Sequence, residues 1–203
     1  MLKARSLLKF LILFLFCVQI AQAQYFGRNK PRYSNFDFKI LKTDHFDIYY
    51  YDLDSTRITQ IGEWFEVWYD RHSRTFGDIF VRNNPVILYN NHSDFQQTFA
   101  IQGNIDVGTG GVTEGLRNRV VLPLALTNEQ TFHVIGHELV HAFQYETILK
   151  GDSTSIESFQ FFPLWMIEGM AEYLSIGSKD AHTSMWMRDA YMNDNIPELG
   201  RYR

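Results

Sequence analysis

The chain has 203 residues, with 19 Lys and Arg against 23 Asp and Glu, a formal charge of −4 and an aromatic content of 16%. Its first 23 residues hold Lys3, Arg5 and Lys9 and no acid, so the remainder carries 16 basic against 23 acidic residues, a charge of −7. No Lys/Arg run remains, which argues against nucleic acid or an anionic membrane surface as a partner, and about 180 residues suit one domain with a real core.

Residues 1–23 read as a secretory signal: a basic head, a short apolar run over 10–18, and the small-x-small exit Ala21, Gln22, Ala23. The run is too short to span a bilayer comfortably, so cleavage after Ala23 is expected, leaving no stable membrane anchor and a periplasmic or extracellular product. The only cysteine, Cys17, falls inside this segment, and the mature chain 24–203 has no disulfide and no Cys-ligated metal site. Phe16 before it is too large for the usual lipoprotein cleavage site.

The mature chain alternates strand and helix patterns. Residues 36–41 and 46–51 have the alternation and aromatic content of two strands, with Lys42, Thr43 and Asp44 as a hairpin turn and His45 as an exposed turn residue. Ile58, Ile61, Phe65 and Trp68 mark the core face of a helix over 55–80, N-capped by Ser55. Residues 86–89 form a short strand, and 93–97 start a helix. Residues 103–115 contain five glycines but neither a Lys-Ser/Thr ending nor a strand-to-helix context, so they read as a loop and not a phosphate cradle. Next comes a strand over 119–124, in which Pro123 favours a sheet edge. An edge strand there would let an extended peptide bind through main-chain hydrogen bonds.

Thr127 and Gln130 form a capping-box pattern and Gly151 a stop, so a helix runs over 128–150. It carries His137, Glu138, Leu139, Val140 and His141, the pattern H-E-x-x-H. Four residues of helix turn through about 400° and rise about 6 Å, so both imidazoles can reach one ion, zinc being expected. Glu138 lies about 100° round from His137 and suits a base acting on water activated by that ion. Phe132, Val134, Ile135, Leu139, Val140, Ala142 and Phe143 surround the motif with apolar side chains, and Gly136 implies close packing, against the sheet. His133, four residues before His137, is a candidate substrate or oxyanion contact.

A catalytic zinc needs a third protein ligand and an open position. Gln144 and Thr147 stand where the longer H-E-x-x-H-x-x-G-x-x-H pattern would place Gly and His, so that class is excluded. The alternative is a carboxylate from a second helix, and residues 163–174 supply one, with Pro163 at its start and Gly177 after its end. Glu168 and Glu172 share a face among apolar neighbours. Glu168 is assigned as the third ligand and Glu172 as acceptor for an imidazole N–H of His137 or His141. A last helix over 181–192, capped by Ser178 or Asp180, carries His182 and Tyr191, two further candidate oxyanion donors.

H-E-L-V-H followed by W-x-x-E-G-x-A-E-Y resembles the gluzincin zinc metallopeptidases, the clan of thermolysin and the zinc aminopeptidases, and particularly their peptidase MA-like group. The opening of the mature chain, from Tyr25, Phe26 and Gly27 through His45–Tyr51, is similar to secreted bacterial proteins in which such a domain precedes a TolB-like β-propeller. The resemblance implies an α+β, zincin-like fold, a small mixed sheet with an edge strand packed on a zinc-binding helix pair. It also implies zinc on His137, His141 and Glu168 with Glu138 as catalytic base, and a peptide or protein substrate. The 203 residues contain no propeller, and the spacing from His141 to Glu168 is longer than thermolysin's, with 151–160 a polar loop. The expected function is thus zinc-dependent peptide hydrolysis in an exported protein. The alternative is a catalytically silent peptide- or envelope-protein-binding module that retains the zinc site.

Overall fold

The computed structural model describes residues 33–149, 162–196 and 198. The signal reading of 1–23, the family-like opening at 25–30, the Gly151 stop and the loop at 151–160 lie outside these residues. A five-stranded mixed sheet is built from β1 (Lys39–Lys42), β2 (Phe46–Tyr50), β3 (Asn84–Tyr89), β4 (Val112–Glu114) and β5 (Arg119–Pro123), in the order β1-β2-β3-β5-β4. The described helices are α1 (Ser55–Phe76), α2 (His92–Phe95), α3 (Asn128–Leu149), α4 (Leu164–Ile176) and α5 (Ala181–Met192).

The expected hairpin forms, β1 and β2 pairing antiparallel from Lys39 opposite Tyr50 to Lys42 opposite Asp47. β2, β3 and β5 run parallel, and β4 returns antiparallel along β5. Pro123 therefore does not mark a sheet edge. It sits at the last position of an inner strand, and the ladder continues past it through Leu124 N–H donating to Tyr89 O at 2.8 Å, so its missing donor disturbs nothing. The outer strand beside β5 is β4, drawn from the glycine-rich stretch that the sequence presents as a loop.

Strand alternation sorts side chains into two cores. Phe46, Ile48, Val86, Leu88, Val120 and Leu122 point to one face and meet Ile58, Ile61, Phe65 and Trp68 of α1 and Ile135, Leu139 and Phe143 of α3. Each of the largest fully buried side chains, Phe46, Phe65 and Phe143 among them, contributes about 1.5–3 kcal/mol by leaving water. On the other face Tyr51, Tyr89 and Val121 pack with Phe95, Phe36 and Phe38. His45 is less exposed than a plain turn residue: its ring stacks on Tyr69 and its Nδ1 lies 2.6 Å from Glu66 Oε2.

Helix ends follow local chemistry. α1 is capped by Asp54, one residue before Ser55, its Oδ1 accepting from Arg57 N–H at 2.9 Å, and stops at Gly77 with φ of 89°. α3 begins with the reciprocal capping box, Gln130 N–H to Thr127 Oγ1 at 3.2 Å and Thr127 N–H to Gln130 Oε1 at 3.3 Å. Gly136 does permit close packing, but against α1 and not the sheet. The indole N–H of Trp68 donates to Phe132 O at 2.7 Å and the His72 ring donates through Nε2 to Gly136 O at 2.8 Å. Two α1 donors one turn apart thus hold two α3 carbonyls one turn apart, fixing the helix just before His137.

Candidate metal and catalytic site

α3 and α4 face each other across a cleft of about 810 Å³ whose lining includes Gly108–Thr113, His133, His137, Glu138, His141, Tyr145, Glu168 and Glu172. His133, His137, His141 and Tyr145 form one stripe at four-residue spacing along α3. The Nε2 atoms of His137 and His141 lie 3.2 Å apart, and Glu168 Oε2 lies 3.3 Å from the first and 3.5 Å from the second.

This triangle tests whether a metal fits. Ligand atoms bound at about 2.0–2.1 Å in a tetrahedron are separated by about 3.3 Å, the spacing found here. The tautomer of His141 agrees as well: its Nδ1–H donates to Gln144 Oε1 at 2.9 Å, which leaves the Nε2 lone pair toward Glu168, while His137 Nδ1 faces Glu172 Oε1 at 3.6 Å without a direct hydrogen bond. Two lone pairs this close repel unless a proton or a cation stands between them. The residues present could hold a metal ion.

The electrostatics have the same origin. With no ion between them, a proton carried on Nε2 of His137, and next of His141, hydrogen-bonds to Glu168 and holds its carboxyl far below the usual carboxylate range. For His141, burial is the largest influence and pulls the ring down, but Glu168, Glu138 and Gln144 together raise it. Glu138 is 6% exposed. Burial pushes its carboxyl up, against the pull of His141, His137 and Thr113. The Thr113 hydroxyl lies 2.9 Å from both Glu138 O and Glu138 Oε2, so its one proton serves one acceptor at a time. Gly111 makes room: a Cβ there would lie 2.9 Å from the Glu138 carboxylate.

In the sequence Glu168 and Glu172 stand among apolar neighbours, a pattern that suggests burial. Both side chains are in fact about half exposed, 48% and 49%, and the facing imidazoles, not burial, locate them. Glu172 faces His137 and not His141, and its nearest partner is His133 Nε2 at 3.0 Å. His141 has Gln144 instead, which also reaches α4 by donating to Ile167 O at 3.2 Å. His182 and Tyr191 do not line the cleft. The His182 ring lies edge-on to Trp186, and Tyr191 is 71% exposed. Tyr145, Gln144, Thr113 and Gly111 are the cleft or supporting residues that the motif alone does not reveal. The Tyr145 phenol is raised by burial first and then by the charges of Glu138 and Glu168.

A family model described as BSP, "Peptidase of plants and bacteria", matches residues 118–196. That stretch takes in β5, α3, α4 and α5, with His137, Glu138, His141, Glu168 and Glu172, and is similar to a peptidase family. Gly111, Thr113 and Trp68 lie before it. No curated protein and no solved structure matches the chain.

Proposed function

We propose that this chain is an exported zinc metallopeptidase of the gluzincin type and zincin-like fold, with one ion on His137, His141 and Glu168 and with Glu138 as the base. The observation that carries the reading is the triangle of Nε2, Nε2 and Oε2 at 3.2, 3.3 and 3.5 Å beside a buried carboxylate. A structural site has no use for such a carboxylate, and usually fills its fourth position with protein.

When bound there, zinc supplies the positive charge that acidifies a water and polarises a carbonyl. Everything else is done by the chain. Glu138, desolvated and steered by Thr113, takes the proton of the attacking water and returns it to the leaving amine. Gln144 holds His141 in the tautomer that presents Nε2, and Glu172, facing Nδ1 of His137, is the acceptor proposed for that ring. β4 leaves its outer edge free of strand partners among the described residues, and Gly110 to Thr113 border the cleft, which supports an extended substrate aligned along this strand by main-chain hydrogen bonds. The basic head, apolar run and Ala21-Gln22-Ala23 exit support export.

The test is cleavage of an unstructured protein such as casein, with and without a chelator, by the chain and by Glu138→Gln. The variant is expected to keep its zinc and lose turnover. Zinc-loaded protein that cleaves nothing would reject the enzyme, and retained turnover in Glu138→Gln would reject the base.

A further inference from the structure

We infer that the cleft holds a second, weaker cation site made by His133 and Glu172, next to the first and sharing His137 with it. His133 Nε2 and Glu172 Oε2 are 3.0 Å apart, close to the roughly 3.3 Å edge of a tetrahedral zinc site, and His137 Nδ1 lies 3.6 Å from Glu172 Oε1. All three residues offer a ligand atom within 4.8 Å of the others. The His133 and His137 rings stand perpendicular with centroids 6.3 Å apart, so Nε2 of one and Nδ1 of the other approach the same carboxylate from different directions. His133 is one-third exposed and Glu172 about half exposed, which leaves room for water to complete a coordination shell. Glu168 and Glu138, the other acids lining the cleft, add negative potential that draws cations in.

The chemistry also ranks the two sites. His137 turns its Nε2 to the first site, beside His141 and Glu168, and only its Nδ1 side to the second, where the dedicated donors are His133 and the half-exposed Glu172. A site with those two donors completed by water binds less tightly than two imidazoles and a carboxylate converging in place. Occupancy also takes Glu172 away from His137, tying the orientation of the first site to the state of the second.

The test is a calorimetric zinc titration of the metal-stripped full chain, with cobalt(II) absorption as a second readout. Two classes are expected, the second weaker by about tenfold or more. His133→Asn, at a one-third-exposed position that folding tolerates, should remove only the weak class, and Glu172→Gln should remove the weak class while also loosening the tight one, because Glu172 faces His137. His141→Asn should weaken the tight class and leave the weak one. A single ion bound at excess metal, or a weak class that survives both His133→Asn and Glu172→Gln, overturns the inference. Absence of casein cleavage would sink the peptidase reading without touching these stoichiometries.

Discussion

The Trp68 indole occupies the space that any side chain at Gly136 would need: a Cβ built there would lie 2.5 Å from Trp68 Cε2 and 2.7 Å from Cζ2. The indole cannot retreat, because its N–H is bonded to Phe132 O and its ring packs on Phe132 and His72. Gly136→Ala should therefore destabilise the fold by about 1–3 kcal/mol despite the better helix propensity of alanine, since overpacking outweighs the roughly 1 kcal/mol gained. Denaturant unfolding monitored by tryptophan fluorescence measures this. An unchanged or raised midpoint would show that α1 and α3 can move apart freely.

Gly111 plays the corresponding part for the carboxylate. Its added Cβ would meet Cγ, Oε1 and Cδ of Glu138 at 2.9–3.0 Å, and Glu138 is held by Thr113 with little room to yield. Gly111→Ala is expected to lower kcat by about 10²-fold through misplacement of the base, with zinc content unchanged. Full activity in a zinc-loaded Gly111→Ala protein would mean that the carboxylate tolerates the shift.

These two glycines mark the limit of what was legible in the sequence. The reciprocal cap of α3, the i, i+4 imidazoles and the proline and glycine bounding α4 are local chemistry within a few residues, and they were readable. Asp54 and Ser55 are both competent caps, and only the backbone decides between them. β4 has three residues, too few for any period, and Pro123 misled because an inner strand can end on a proline. Thr113 and Gly111 reach Glu138 across at least 25 residues of chain, so no spacing rule reveals them. In the sequence Gln144 only excludes another ligand pattern, and its bond to His141 depends on the rotamers that burial between α3 and α4 selects.

Gln144 is the buried acceptor that fixes the His141 tautomer and, through Ile167 O, ties α3 to α4. Gln144→Leu keeps similar bulk but leaves Nδ1–H of His141 without its acceptor. Zinc affinity should fall by about 10–100-fold, the usual effect of removing such a partner, with little change in the folded spectrum. Competition with a chromophoric chelator reads this directly, and undiminished affinity would show that the ring is oriented by packing alone.

His72 links pH to stability. Burial lowers its pKa below the ordinary 6.5, outweighing the bond to Gly136 O, so it stays neutral in the fold while the unfolded chain protonates near 6.5. The folded pKa being depressed, the unfolded state binds more protons as pH falls through 6.5. The His72 contribution is full above that pH and declines below it, by at most about 1.4 kcal/mol per pH unit, until the folded pKa is reached. Urea unfolding of the metal-free chain at about pH 7.5 and about pH 5.5 should show a larger acid loss than in His72→Phe, whose other titrating groups are the same. Equal losses would assign the acid sensitivity elsewhere.

Tyr145 lies one turn beyond His141 on the face that carries the three histidines, and it lines the cleft. Burial, and then the nearby carboxylates of Glu138 and Glu168, raise its phenol above the ordinary range, so it keeps its proton near neutral pH. A donor aimed where negative charge develops acts on the transition state more than on the bound substrate. Tyr145→Phe should then lower kcat by about 10²-fold with KM nearly unchanged and zinc retained. If KM rises and kcat holds, the hydroxyl serves substrate binding instead. If neither moves, the oxyanion donor is another group in the cleft, and His133 becomes the next to substitute.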